Sequence, residues 1–303
     1  MTMQSSGPAG LAGSAGLAGS AGLAGSAGLA GAAGLAGAAA PDGGRLGPVN
    51  LWFCPNEDLA PGIAATLASY WLDEHEQEVA GRFLFERDRR QYLVAHALVR
   101  RVLALETGIP EAEAIIWRSS RGRPFLQLPT GGLPRGADTL DFNLSHAHAY
   151  NLLGVSREHR IGVDVERLDR GERGLDNIIA TFAPQEQDWI ARAAPGRPRD
   201  RRALRLWTLK EAYSKARGLG LALPFDSFVF TLAEDQGVLS FRPPADDSAR
   251  RWRFLEMEPV PEVLAAVAVE VDAARPPAVH LHHGFPWGRA APRRLVLPEL
   301  AGA

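Results

Sequence analysis

The sequence predicts a mixed α+β fold, and three observations carry the prediction. Two long stretches, 86–107 and 201–217, repeat apolar residues at helical spacing. Residues 161–166 alternate apolar and polar side chains as a half-buried strand does. Two apolar runs just before them, 140–146 and 150–155, read as neighbouring strands of a meander.

The first helix places Val94, Ala97, Leu98, Val102 and Leu105 on one face, and Gly108 and Pro110 end it. Residues 117–125 (Trp-Arg-Ser-Ser-Arg-Gly-Arg-Pro-Phe) then read as a hairpin whose tip carries Arg118, Arg121 and Arg123. In the meander, Ser145 and His146 fall at the turn. In the strand, Ile161, Val163 and Val165 point to a core, while Gly162, Asp164 and Glu166 share the opposite face. The glycine is expected to leave open space there. Two carboxylates one pleat apart repel unless a cation lies between them, which makes them candidate ligands for a hard divalent ion. In the 182–186 segment Pro184 suits a first helical position, although Ala183 stands where a capping Ser or Thr is usual. The second long helix has Asp200 as its expected N-cap and Gly218 and Gly220 as its stop, with Leu206, Leu209, Tyr213 and Ala216 facing a core.

That helix also holds the chain's most unusual feature. Of 33 basic residues only Lys210 and Lys215 are lysine; all the others are arginine. They bracket Glu211, and Trp207, Glu211 and Lys215 recur at i, i+4, i+8 on one face. A compact ammonium differs from a guanidinium where a point charge must reach a phosphate oxygen or a proton must move.

Together, Gly122-Arg123-Pro124, Phe142-Asn143-Leu144-Ser145-His146, Ile161-Gly162-Val163-Asp164-Val165-Glu166 and Trp207-Thr208-Leu209-Lys210-Glu211-Ala212-Tyr213-Ser214-Lys215 resemble the ordered signatures of the 4′-phosphopantetheinyl transferases. Within that family they resemble the longer, surfactin-synthetase-activating type. The resemblance runs from about Leu51 to Val271. It implies two similar α/β subdomains related by a pseudo-twofold, each a small, mainly antiparallel sheet packed by a long helix. With the junction near Val155–Ile161, the subdomains are expected at 48–158 and 159–275, with the site in the cleft between them.

The implied reaction moves the 4′-phosphopantetheine arm of coenzyme A to a serine of an apo acyl or peptidyl carrier protein, releasing 3′,5′-adenosine diphosphate. By resemblance, Asp164, Glu166 and Glu211 are the ligands of magnesium or manganese, and Glu211 is also the general base. Lys215 is the lysine that binds the pyrophosphate and assists the leaving phosphate. Arg123, Pro124, Ser145 and His146 match positions that contact the nucleotide and phosphates of coenzyme A, and Asp164 joins them through the metal. Lys210 is expected to touch a phosphate or an acidic partner. Arg123 stands where the family often has lysine. The stretch 74–80, where lysines often serve the 3′-phosphate, is acidic here, which leaves Arg82, Arg89 and Arg90 as candidates. Arginines between 192 and 205 are the expected contacts for an acidic carrier helix. Two other readings use the same residues: an idle scaffold that binds coenzyme A or a carrier, and a magnesium-dependent phosphohydrolase.

The remaining composition sets the context. A net charge of −2 over 303 residues gives no polyanion-binding signature, so nucleic acid is not an expected partner. The single cysteine, Cys54, allows no internal disulfide and suits a reducing cytoplasm. Residues 10–39 are five six-residue repeats of Gly, Leu, Ala and Ser; a six-residue step keeps no leucine face on a helix, so 1–47 is read as a flexible tail. No basic residue precedes Arg45 and no apolar run suits a membrane span, so neither a targeting segment nor a membrane is expected. Residues 276–303, rich in Pro, Arg and Ala, are read as a C-terminal tail, with His280, His282 and His283 as a surface cluster. The chain is expected to be a monomer whose halves mimic a dimer.

Overall fold

The computed structural model describes residues 48–127, 139–169, 174–271, 276–288 and 291–300, without the side chain of Leu221. The repeat at 10–39 and the rest of the expected N-terminal tail lie outside them. Val49–Pro55 (β1), Leu140–Ala147 (β4) and Tyr150–Arg157 (β5) form an antiparallel set within a five-stranded sheet; Ile116–Arg118 (β2) and Pro124–Leu126 (β3) make the separate arginine hairpin. Ile161–Arg167 (β6), Trp252–Met257 (β9) and Val263–Glu270 (β10) form a second antiparallel sheet in the order β6-β10-β9, and Val229–Leu232 (β7) pairs with Val238–Arg242 (β8).

The two larger sheets share a core. Val49, Leu51 and Phe53 from β1 meet Ile161, Val163 and Val165 from β6 and Val263, Ala265, Val267 and Val269 from β10. The alternate residues of β1, Trp52 and Cys54, face a helix at Glu86–Thr107 (α3, following α1 at Pro61–Trp71 and α2 at Glu74–Gly81). Leu264, Ala266 and Ala268 of β10 face a helix at Arg197–Arg217 (α6, following α4 at Leu175–Ile179 and α5 at Pro184–Ala191). β1 and β10 are apolar on both faces because each has a sheet on one side and a helix on the other. The layers therefore run helix, sheet, sheet, helix.

Both long helices stop where expected, at Gly108 (φ 81°) and Gly218 (φ 68°). The start of α6 differs from expectation. Gly196 is the N-cap and Asp200 lies inside the first turn, because Pro198 is accommodated there and adds a turn before the apolar periodicity begins. Ser145 and His146 lie within β4 rather than at the turn, which is made by His148 and Ala149 with positive φ.

A larger correction concerns 276–303. Val279–His283 (β11) pairs in parallel with β1, and Arg293–Leu295 (β12) pairs with β11, so the segment read as a tail supplies two strands of the first sheet. Val279 and Leu281 enter the shared core, which short Pro- and Arg-rich flanks had hidden from periodicity. Nor are the histidines simply a surface group: His282 stacks on Trp52 with ring centroids 4.0 Å apart, and burial lowers its pKa to about 4, helped by His280.

A buried polar node holds α2 to α3. Arg100 donates to Glu76 Oε2 from Nε (2.8 Å) and Nη2 (2.6 Å), and His96 Nδ1 lies 2.6 Å from Glu76 Oε1. Burial opposes the Glu76 charge, but the hydrogen bond and charge of His96, then Arg100, outweigh it and hold the pKa at about 2, below the ordinary 4.5. A depressed carboxylate stabilises fully above its unfolded value and loses that contribution as pH falls through its folded one. Melting temperature should therefore drop between about pH 4.5 and pH 2 in the parent. Glu76→Gln should melt lower at neutral pH and show a shallower fall across that window.

Candidate active site

The site forms where one edge of each sheet meets the middle and end of α6. On β6, Gly162, Asp164 and Glu166 do share a face, but that face is covered by α6 rather than open. A Cβ added to Gly162 would lie inside the backbone of Ala212 and Ala216, so the glycine is what lets the helix approach. This is the physical reason the expected open space is absent. Close approach sets Glu211 and Lys215 against the two carboxylates of the strand.

Lys215 Nζ donates to Asp164 Oδ1 at 2.6 Å and to Ser145 Oγ at 3.2 Å. Ser145 donates in turn to Asp164 Oδ1 at 2.9 Å. Glu166 Oε1 accepts from Trp207 Nε1 at 2.9 Å, giving Trp207, the first residue of the i, i+4, i+8 series, a role the spacing alone had not assigned. Burial pushes the Glu211 pKa up to about 7; Lys215 opposes the rise, and the charges of Asp164 and Glu166 add to it. For Lys215, burial disfavours the cation, but Asp164 and then Glu211 outweigh it and raise its pKa. Lys215 thus stays charged, in contact with Asp164 and within the field of Glu211 and Glu166.

Among the described residues, no group of three or more His, Cys, Asp or Glu side chains is gathered tightly enough to hold a metal ion. The donor set is nevertheless of the right chemistry for a hard divalent cation: oxygen only, with Glu211 raised first by burial and further by the charges of Asp164 and Glu166. In this arrangement the Lys215 ammonium bears directly on Asp164.

The other expected residues divide. His146, next to Ser145, is exposed; desolvation and then the charge of Lys215 lower its pKa. Pro124 opens β3, half-buried. Arg82 is exposed at the end of α2 and paired with Glu78 at 2.8 Å.

Arg123 does not present its guanidinium outward. It is buried, with Nη2 donating to Asp141 Oδ2 (2.5 Å) and to the carbonyl of Ile161 (2.9 Å), and Nη1 to the carbonyl of Lys215. Lys210 is a clearer correction. Its side chain is 0% exposed, and Nζ meets Glu186 Oε2 at 2.8 Å and the carbonyls of Phe225 and Phe228, each at 2.7 Å. All three ammonium hydrogens are used, so it reaches neither a phosphate nor a partner. Burial drives the lysine down to about pKa 8 despite Glu186, and raises Glu186 despite the lysine. A position about 100° around the helix from Glu211 turns Lys210 into the core.

The expected carrier-facing arginines are also largely engaged within the chain. Arg197 pairs with Glu262, Arg199 with Asp176, Arg201 with Glu258, Arg202 with Glu234, and Arg205 with Glu256. Their charges are locally balanced, which weakens the case for an acidic partner there.

Comparison with known proteins bears out the family resemblance. Residues 160–268 match the 4′-phosphopantetheinyl transferase superfamily, and residues 64–158 match the 4′-phosphopantetheinyl transferase N-terminal region. A phosphopantetheinyl transferase of Thraustochytrium sp. is 31% identical over 214 residues, covering 67% of this chain and 72% of that protein. The 4′-phosphopantetheinyl transferase HetI of Nostoc sp. is 32% identical over 225 residues, covering 73% and 87% respectively. An L-aminoadipate-semialdehyde dehydrogenase-phosphopantetheinyl transferase of Xenopus laevis is 27% identical over 231 residues, 73% of each chain. With both regions matched in order, the chain belongs to the 4′-phosphopantetheinyl transferase superfamily, enzymes that transfer phosphopantetheine to carrier proteins.

Proposed function

We propose that this enzyme takes the 4′-phosphopantetheine arm from coenzyme A, in a magnesium-dependent reaction, and releases 3′,5′-adenosine diphosphate. The observation that carries this reading is the Lys215 ammonium, 2.6 Å from Asp164 and bordered by Glu211, where β4, β6 and α6 converge. Phosphoryl transfer needs positioning and charge neutralisation more than covalent chemistry, and this cluster offers both. Glu211 accepts the proton of the carrier serine hydroxyl, directly or through a water. Lys215 supplies its ammonium to the pyrophosphate oxygens and supports departure of the nucleotide. Asp164, Glu166 and Glu211 are the residues that would hold magnesium or manganese, whose contribution when bound is to neutralise charge on the pyrophosphate. His146, exposed beside Ser145, is available to the nucleotide, and Pro124 shapes the adjoining hairpin. Arg82 remains the expected contact for the 3′-phosphate. The acceptor is read as an acyl or peptidyl carrier domain and the enzyme as a monomer, and the single free cysteine, Cys54, buried in the first half, is in keeping with a reducing cytoplasm.

One assay tests the reaction: coenzyme A, Mg²⁺ and an apo-carrier protein, followed by intact mass of the carrier. A gain of the phosphopantetheine mass is the expected result. Nucleotide release without that gain would make the enzyme a hydrolase, and no change at all would make it a scaffold. Within the same assay, Lys215→Arg should lower turnover by more than roughly tenfold, about 1.4 kcal/mol of transition-state stabilisation. Charge is kept, so the loss would come from the longer, planar group missing the compact contact with Asp164. Turnover at the parental rate would remove Lys215 from the mechanism.

A further inference from the structure

The edges of the two sheets are joined by side chains. Asp141, Asn143 and Ser145 occupy alternate positions of β4, the edge strand of the first sheet. Each ends on a backbone N–H of β6, an edge strand of the second. Ile161 N donates to Asp141 Oδ2 at 2.8 Å, Val163 N to Asn143 Oδ1 at 2.8 Å, and Val165 N to Ser145 Oγ at 3.4 Å. Edge N–H groups need partners when buried, and here side chains stand in for a missing strand. The repeat of two along β4 matches the repeat of two along β6, so the ladder fixes their register.

Arg123 locks the end of this ladder. Its guanidinium, with the side chain 4% exposed, joins Asp141 Oδ2 and the Ile161 carbonyl to the Lys215 carbonyl in the last turn of α6. One planar fork therefore ties the β2–β3 hairpin to β4, β6 and the C-terminal end of the helix that carries Glu211 and Lys215. A cation on the last carbonyls of a helix also complements its dipole. We propose that Arg123 and Asp141 are positioning residues that hold the carboxylates of β6 and the ammonium of Lys215 in register across the two sheets, and that Arg123 serves this seam rather than a coenzyme A phosphate. This rests on the reading of Lys215, Asp164 and Glu211 as the reacting cluster. It also accounts for arginine at this position: acceptors on three elements suit a broad, planar set of donors better than a single ammonium.

The test compares Arg123→Lys, Arg123→Met and Asp141→Asn with the parent. It measures kcat, KM for coenzyme A and backbone amide exchange at residues 161–165 and 214–219. The expected result is a fall in kcat of about tenfold or more with KM for coenzyme A changed less than about twofold, the pattern of misplaced reacting groups. Exchange should speed up in both segments, and Asp141→Asn should show the same split as the arginine variants. If Arg123→Met does not fold, Arg123→Lys and Asp141→Asn carry the comparison. A tenfold rise in KM with kcat and exchange unchanged would make Arg123 a phosphate ligand and overturn the proposal. Lower stability with an unchanged kcat per folded molecule would overturn it as well. Failure of the parent to transfer would count against the functional reading alone, since amide exchange needs no turnover and still decides the clamp.

Discussion

Gly162→Ala should cost roughly 3 kcal/mol or more of stability and lower turnover by about 100-fold in the molecules that still fold. The added Cβ would fall within the backbone of Ala212 and Ala216, not against the end of a side chain. Backbone cannot rotate away, so α6 must lift from β6 along its central turns. Ala266 and Ala268 on the neighbouring strand, both fully buried against the same helix, show how tightly this layer is drawn in. Because Glu211 and Lys215 ride on α6, a lift of about 1 Å separates them from Asp164 and Glu166, and misplacement of that size is costly to catalysis. Gly154→Ala is the control. Its Cβ would meet side chains rather than backbone, Ile161 Cδ1 at 2.6 Å, Val163 Cγ1 at 2.7 Å and Ile161 Cγ1 at 3.2 Å, in a core that can repack without moving α6. That variant should lose less stability and keep most of its turnover. Denaturant midpoints and steady-state turnover measure both. A Gly162→Ala protein within 1 kcal/mol of the parent and equally active would show that helix and strand have slack.

The second large effect is expected at the carboxylates. Asp164→Ala and Glu211→Gln should each reduce transfer by at least roughly 100-fold while leaving circular dichroism unchanged. Removing Asp164 takes away the acceptor shared by Lys215 and Ser145, so the ammonium loses its fixed position as well as its counter-charge. Glu211→Gln keeps shape but cannot accept a proton. Glu166→Ala should be milder, since one of its oxygens is already occupied by Trp207 and a water can take its place. Near-parental turnover of Glu211→Gln at saturating Mg²⁺ would exclude Glu211 as the base. Magnesium titrations of the three variants separate metal affinity from chemistry: a weakened ligand shifts the half-saturating concentration, whereas a lost base lowers the plateau.

By itself the sequence determined the helix at 86–107 and the second long helix from 201 to its end at 217, missing only the turn that begins at 197, because apolar periodicity and terminal glycines are local signals. It also put Asp164 and Glu166 on one strand face and Glu211 and Lys215 on one helix face, because strand alternation and the i, i+4 spacing place residues on faces without reference to the rest of the fold; that the two faces form one site was implied only by the family resemblance. What lay over those faces was decided by tertiary structure. Gly162 read as space until α6 was seen to fill it, and Lys210 read as a ligand until Glu186, 24 positions away, was seen to close it into the core. Arg123 read as an outward contact, yet its acceptors come from β4, β6 and α6. The strand at 279–283 had no local signature strong enough to mark it, and only pairing with β1, more than two hundred residues earlier, made it a strand. Local pattern fixes which way a side chain points. Long-range packing alone fixes what it meets, since a partner distant in sequence leaves no trace in the spacing around the residue itself.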